Sequence, residues 1–250
     1  MKVLICGKGG CGKSTVVTLL AKELARRGRK VLVVDSDESN IGLAQRLGMD
    51  NPEDFMNYFG GKKIVFERIK QIINKWRLSD LPKEYTSEKE NVRFLSMGKI
   101  HEFGEGCACP INALSAKVLE ALDLQDNEFL IADTDAGIEH LGRGVEKGID
   151  MLFAIIDPSR ESIMLAQKIS DLGMQIGKPT YYVLNRVDRE TEKVLLDSVD
   201  KEKVIAIIPE NKGLFMSLLF GNELTICPEG IKDMANMVES KKRTLIAQSI

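Results

Sequence analysis

Nowhere does the 250-residue chain approach the roughly 18 consecutive apolar residues that a membrane-crossing helix requires; its longest apolar run is Met151 to Ile156. It also lacks a basic excess. Lys and Arg total 35 against 37 Asp and Glu, a formal net charge of -2, so little positive charge is left over to displace counterions from a nucleic-acid backbone. No internal repeat, low-complexity tract or Pro/Gly/Ser linker divides the chain. Met1 leads directly into the first apolar strand, so no secretory leader is expected, and the five cysteines form an odd set. These absences predict a cytoplasmic protein in a reducing compartment, with neither membrane nor nucleic acid as a partner.

What is present is ordinary globular composition, 44% hydrophobic and 29% charged. Strand-length apolar runs recur at Val3–Cys6, Val31–Val34, Val92–Leu95, Phe129–Ala132, Met151–Ile156, Tyr181–Leu184 and Val204–Ile208. They are continuous rather than alternating, the pattern of strands covered on both faces, and helical stretches separate most of them. The expected fold is α/β: a doubly wound, mainly parallel sheet of about seven strands with helices on both faces, built as one domain over residues 1–250. The first helix, Lys13 to Arg27, should stop at Gly28. Later helices are predicted to begin near Ser159, Glu190 and Glu229, and another spans Asn112 to Leu122. The segment from about 50 to 91 reads as an insertion, helical from Ile64 to Trp76 and polar loop from Leu81 to Asn91.

The segment Gly7 to Ser14, GKGGCGKS, satisfies G-x-x-x-x-G-K-[ST] between an apolar strand and an amphipathic helix. Gly9, Gly10, Cys11, Gly12, Lys13, Ser14 and Thr15 are therefore candidates to bind a nucleoside triphosphate. Backbone amides at the helix N-terminus would cradle phosphate oxygens, Lys13 would reach the β and γ phosphates, and Ser14 a magnesium ion. Asp35 and Asp37, two positions apart at the end of an extended run, can face one magnesium-water assembly. Asp35 is assigned to the magnesium hydration shell and Asp37 to orienting the attacking water. Asp133 directly follows the run Phe129–Ala132, where its carboxylate can meet magnesium, and Gly137 permits a mobile segment. Asp135, Glu139 and His140 read equally well as capping or surface polar residues.

Cys107 and Cys109, in GEGCACP, lie just before a predicted helix whose N-terminus favours thiolate. One pair gives two ligands, and a two-fold dimer would supply the four sulfurs that a nickel or zinc site wants. Two ordinary loop thiols are the plainer alternative. Cys6, Cys11 and Cys227 read as core or incidental thiols, and His101 as a solvated loop histidine.

These residues resemble the deviant-Walker ATPases, which include the MinD and ParA organisers, the nitrogenase iron protein and metallocentre maturation ATPases. The marks are Lys8 in KGGCGKS, Asp37, Asp133, Gly137, Asn185, and Pro209 with Glu210. The resemblance implies ATP and magnesium, with Asn185, Arg186, Pro209 and Glu210 around the adenine. It also implies that Lys8 reaches the nucleotide of a second copy, giving an ATP-dependent homodimer. MGKI, GEGCACPINAL and DTDAGIEHLGRG are similar to the nickel-insertion ATPases of carbon monoxide dehydrogenase. That likeness implies that Cys107 and Cys109 share one nickel ion across the dimer, for delivery to a client such as carbon monoxide dehydrogenase or acetyl-CoA synthase. Two other classes compete. A reductase like the nitrogenase iron protein needs a cysteine in the second switch, and Asp133 to Asp150 contains none. A spatial organiser that docks on a membrane needs a C-terminal amphipathic helix, and Met237 to Ile250 has little contiguous apolar face.

Overall fold

The computed structural model describes residues 1–72, 75–100, 109–135 and 144–248. Its centre is an eight-stranded sheet in the order β3-β4-β2-β5-β1-β6-β7-β8. The strands are β1 Lys2–Gly7, β2 Lys30–Asp35, β3 Thr86–Lys89, β4 Val92–Ser96, β5 Glu128–Asp133, β6 Met151–Ile156, β7 Thr180–Val187 and β8 Val204–Pro209. All neighbours run parallel except β3 and β4. The central strands are buried along their length because each face carries its own apolar layer. One layer gathers Leu4, Leu32, Leu130 and Leu152, the other Val3, Val33, Ile131 and Phe153, as the two-residue alternation of a strand dictates.

The helices are α1 Lys13–Arg26, α2 Leu43–Leu47, α3 Val65–Arg68, α4 Cys109–Ala121, α5 Arg160–Gln175, α6 Arg189–Ser198, α7 Lys212–Leu219 and α8 Glu229–Gln248. α1 ends as its sequence predicts, with Gly28 in the left-handed region at φ 80°. The Ser159 and Asp188 side chains cap α5 and α6 by accepting backbone N–H bonds.

The mainly parallel α/β sheet with helices around it is as expected, with eight strands against the expected seven or so. Three finer expectations are corrected. Thr86–Lys89, inside the stretch read as polar loop, forms an antiparallel edge hairpin with β4. The long helix read over Ile64 to Trp76 is instead the short α3 followed by a 3-10 turn at Ile69–Gln71. Trp76, at the end of that stretch, joins an aromatic cluster built from other segments, where it stacks on Phe59 and Phe55 meets Tyr85 edge-on, so tertiary packing overrides helical periodicity. Finally, α4 starts at Cys109, three residues before the predicted Asn112, which puts that cysteine inside the first turn.

α4 is held by a close backbone approach from the 3-10 turn Val145–Gly148. A Cβ at Gly148 would sit 2.5 Å from the Leu119 carbonyl carbon and 2.6 Å from the Glu120 nitrogen, so only glycine fits. Gly148→Ala should lower stability by about 1–3 kcal/mol, the usual cost of overpacking. A reduced denaturant midpoint at constant slope is the expected result.

Candidate nucleotide site

Every element of the site lies at the carboxyl edge of the parallel strands, where open α/β sheets leave a crevice. β1 runs into the glycine loop, and α1 begins at Lys13 directly behind it. Gly12 has φ +100°, and a Cβ there would lie 2.4 Å from Asn185 Nδ2. Both the backbone conformation and the close approach demand glycine. Asn185 Nδ2 donates to the Cys11 carbonyl at 2.8 Å, and Arg186 Nη1 donates to the Gly10 carbonyl at 2.8 Å. The end of β7 therefore fixes the loop from one side. Lys13, only 7% exposed, donates from Nζ to the carbonyls of Gly7 and Lys8, both at 3.3 Å.

Strand register places Asp35 directly opposite Asp133. Two carboxylates thus end neighbouring strands side by side, exposed by 1% and 0%. Burial pushes both up, Asp35 to about 7 and Asp133 to about 6, while the Lys99 ammonium pulls Asp35 back and Ser14 does the same for Asp133. Lys99 Nζ donates to Asp35 Oδ2 at 2.7 Å and to the Asp37 carbonyl at 2.6 Å. The other Asp35 oxygen accepts the Asp37 N–H at 3.1 Å. The Asp37 carboxylate turns outward and accepts from both the N–H and the hydroxyl of Ser39.

Asn40 bridges the glycine loop and β5, donating from Nδ2 to Ser14 Oγ at 3.0 Å and to Asp133 Oδ2 at 3.1 Å. The second Asp133 oxygen is buried and has no hydrogen-bond partner among the described residues. A hydroxyl and a carboxylate with an orphaned oxygen are hard oxygen donors, the set that magnesium takes beside a phosphate. The residues present therefore fit that ion.

Lys8, adjacent to the loop, is held within its own chain: Nζ donates to Ser159 Oγ at 3.1 Å and lies 3.3 Å from Glu161 Oε2. Beyond Thr15, the side chains of Asn185, Arg186, Pro209 and Glu210 gather around a cleft of about 320 Å³, within the range of ordinary small-molecule sites. α7 closes this cleft with Phe215 and Leu218, which no local signal announces, because a single short helix rich in leucine reads as core. Lys99, Asn40 and Arg46 were missed as well. Lys99 sits in the MGKI segment but had no role assigned to it, and Asn40 and Arg46 come from a segment without a motif of its own.

Of the cysteine pair, Cys109 is exposed on the first turn of α4, and Cys107 lies outside the described residues, as do Gly137, Glu139, His140 and His101. Among the described residues no group of three or more His, Cys, Asp or Glu comes together to hold a metal. Cys6 and Cys11 are buried thiols, pushed up by burial to about 12 and about 11. No helix among the described residues is long and apolar enough to cross a membrane.

A glycine loop between a parallel strand and a helix, with a buried lysine at the helix start and carboxylates ending the adjacent strands, defines a P-loop nucleotide site. Comparison with known sequences agrees: residues 2–224 match the CobQ/CobB/MinD/ParA nucleotide binding domain. The chain belongs to this family and is an ATP-hydrolysing P-loop ATPase. An uncharacterized ATP-binding protein of Methanocaldococcus jannaschii is 49% identical over 247 residues, 95% of this chain and 99% of that one. The carbon monoxide dehydrogenase accessory protein CooC of Rhodospirillum rubrum is 31% identical over 219 residues, 84% of this chain and 83% of its own. Among solved structures, the septum site-determining protein MinD of Pyrococcus horikoshii, complexed with Mg-ADP, superposes with a TM-score of 0.72. It is 20% identical, covers 95% of each chain, and shows the fold alone.

The paired carboxylates set a pH dependence. Their folded values lie above the roughly 3.9 of an unfolded aspartate, so the native state binds more protons than the unfolded one. Stability without nucleotide should be greatest below about pH 4 as far as these two groups are concerned, and should fall as pH rises through about 6 to 7. Denaturant titrations at several pH values should show this decline, and Asp133→Asn should flatten it.

Proposed function

We propose that this ATPase is a metallochaperone, in which ATP closes a homodimer and the dimer gathers Cys107 and Cys109 from both copies around one nickel ion. The observation that supports it most is the placement of Cys109. Its thiol is exposed on the first turn of α4, at the carboxyl edge of the sheet that also carries the nucleotide site. A likeness to CooC over 84% of the chain points the same way.

In this reading, the glycine-loop amides from Gly9 to Thr15 hold the phosphates and Lys13 balances their charge. Ser14 and Asp133 hold magnesium, with Asp35 in its hydration shell; when bound, that ion neutralises charge building on the phosphate oxygens. Asp37 orients the attacking water. Lys8 leaves Asp157 and Glu161 to meet the nucleotide of the second copy, an exchange of one set of anionic partners for another. Asn185, Arg186, Pro209 and Glu210 embrace the adenine. Zinc competes for the same four sulfurs, since both ions accept thiolate. The client is a nickel enzyme of the carbon monoxide dehydrogenase or acetyl-CoA synthase type, met in the cytoplasm.

A spatial organiser that docks on a surface is the alternative, although the apolar residues Ile231, Met234, Ala235 and Val238 of α8 are already buried in the core. Equilibrium dialysis of nickel with ATP, ADP or no nucleotide separates the two. The expected result is about one ion per two chains, bound about 5- to 150-fold more tightly with ATP, and lost with Cys107→Ser or Cys109→Ser. Nickel affinity indifferent to nucleotide, together with ATP-dependent sedimentation on vesicles or DNA that survives both serine substitutions, would favour the organiser.

A further inference from the structure

α2 is a five-residue helix whose Leu43, Ala44 and Leu47 are buried and whose Gln45 is exposed. Helical geometry puts residue 46 about 100° from the middle of that buried face, on the flank rather than the outer side. The flank faces the nucleotide site. Arg46 lines the same cleft as Gly10, Lys13, Ser14, Thr15 and Asn40. Its backbone is anchored, since the Arg46 carbonyl accepts the Leu224 N–H at 3.0 Å. The side chain folds back over Gly42, where a Cβ would lie 3.7 Å from Nη2.

Among the described residues, the Arg46 guanidinium has no hydrogen-bond or ion-pair partner. It is nonetheless partly buried, and the charges that act on it are Asp133, Asp35 and Arg186. Arg27 and Arg93, also partly buried, each bind a carboxylate. A guanidinium withdrawn from water without a partner is costly, and its five donors in a planar fork match phosphate oxygens. The nearby aspartates do not fill that place: Lys99 and the Asp37 amide occupy Asp35, and Asn40 occupies one oxygen of Asp133.

We infer that Arg46 is a phosphate-binding residue, which reaches across the cleft from α2 and donates to the polyphosphate chain of the nucleotide on the side opposite Lys13. This rests on the P-loop site and extends it with a second cation that no loop motif encodes. The arrangement clamps the polyphosphate between two elements, α1 and α2, rather than seating it on one. Because α2 follows directly on the Asp37 to Asn40 segment, nucleotide held by Arg46 would also fix that segment in place.

The test compares wild type, Arg46→Gln and Arg46→Lys by calorimetric titration with MgATP, MgADP, AMP, and ADP in EDTA, alongside steady-state ATPase kinetics. Arg46→Gln should weaken MgATP, MgADP and metal-free ADP by about tenfold, as loss of a charge-assisted hydrogen bond does. AMP affinity should barely change. Arg46→Lys, which keeps the charge but not the planar fork, should recover part of the loss, and in Arg46→Gln KM should rise more than kcat falls. Unaltered ADP affinity in Arg46→Gln overturns the assignment. So does a loss that disappears in EDTA, which would mean that Arg46 acts through Asp133 and magnesium. A loss that lysine does not restore, accompanied by a lowered melting temperature in both variants, overturns it too, as displacement of α2. Failure of the wild type itself to bind nucleotide would strike the P-loop reading and leave its own distinct signature.

Discussion

Two buried carboxylates forced side by side organise everything at the carboxyl edge of this sheet. The parallel register of β2 with β5 leaves no choice: Asp35 must end opposite Asp133. Burial raises the proton affinity of both, and a neighbouring carboxylate raises it further, Asp133 acting on Asp35 and Asp37 on Asp133. The surroundings compensate from several directions at once. Lys99 comes from beyond β4, Asn40 from beyond β2, and Lys13 and Ser14 from α1. A backbone that concentrates negative charge in this way, next to a loop of amides built for anions, creates a place where a divalent cation and a phosphate stabilise each other.

Lys99 joins the site to its neighbours more firmly than its single charge suggests. The Met97 N–H donates to the Asp35 carbonyl at 2.9 Å and the Ile100 N–H to the Glu38 carbonyl at 3.3 Å. On the other side, the Lys99 N–H and the Ser96 hydroxyl donate to the two oxygens of Asp54. Residues 96–100 are therefore stitched to both the Asp35–Glu38 segment and the start of the aromatic cluster around Phe55. Displacement of any one of the three carries strain to the other two, through bonds short enough to resist slipping.

The glycine loop, the central strands and their carboxyl-terminal aspartates could be read from the sequence because each has a local signature: fixed spacing, continuous apolar runs, and position after a strand. Asn185, Pro209 and Glu210 depended on family likeness, since nothing local marks an asparagine after a strand as a neighbour of Gly12. Lys99, Asn40 and Arg46 were invisible for a physical reason, as their meaning arises only when the sheet brings distant segments together. The hairpin strand β3 was hidden differently. Its residues Thr86, Ser87, Glu88 and Lys89 are polar on both sides, so the two-residue hydrophobic alternation that reveals a strand is missing. Ile64 to Trp76 failed in the opposite sense: α3 covers only Val65–Arg68 of it, and its last residue, Trp76, is taken into an aromatic cluster from other segments.

That polar hairpin governs what the molecule is able to join. A sheet whose outermost strand is four residues long and carries glutamate and lysine offers a poor template for another strand, and at the opposite border β8 closes on Pro209, which has no N–H to donate. Lateral extension into a continuous intermolecular sheet is discouraged at both margins. Any contact between copies is left to helix faces, loops and side chains, with the backbone ladder out of it.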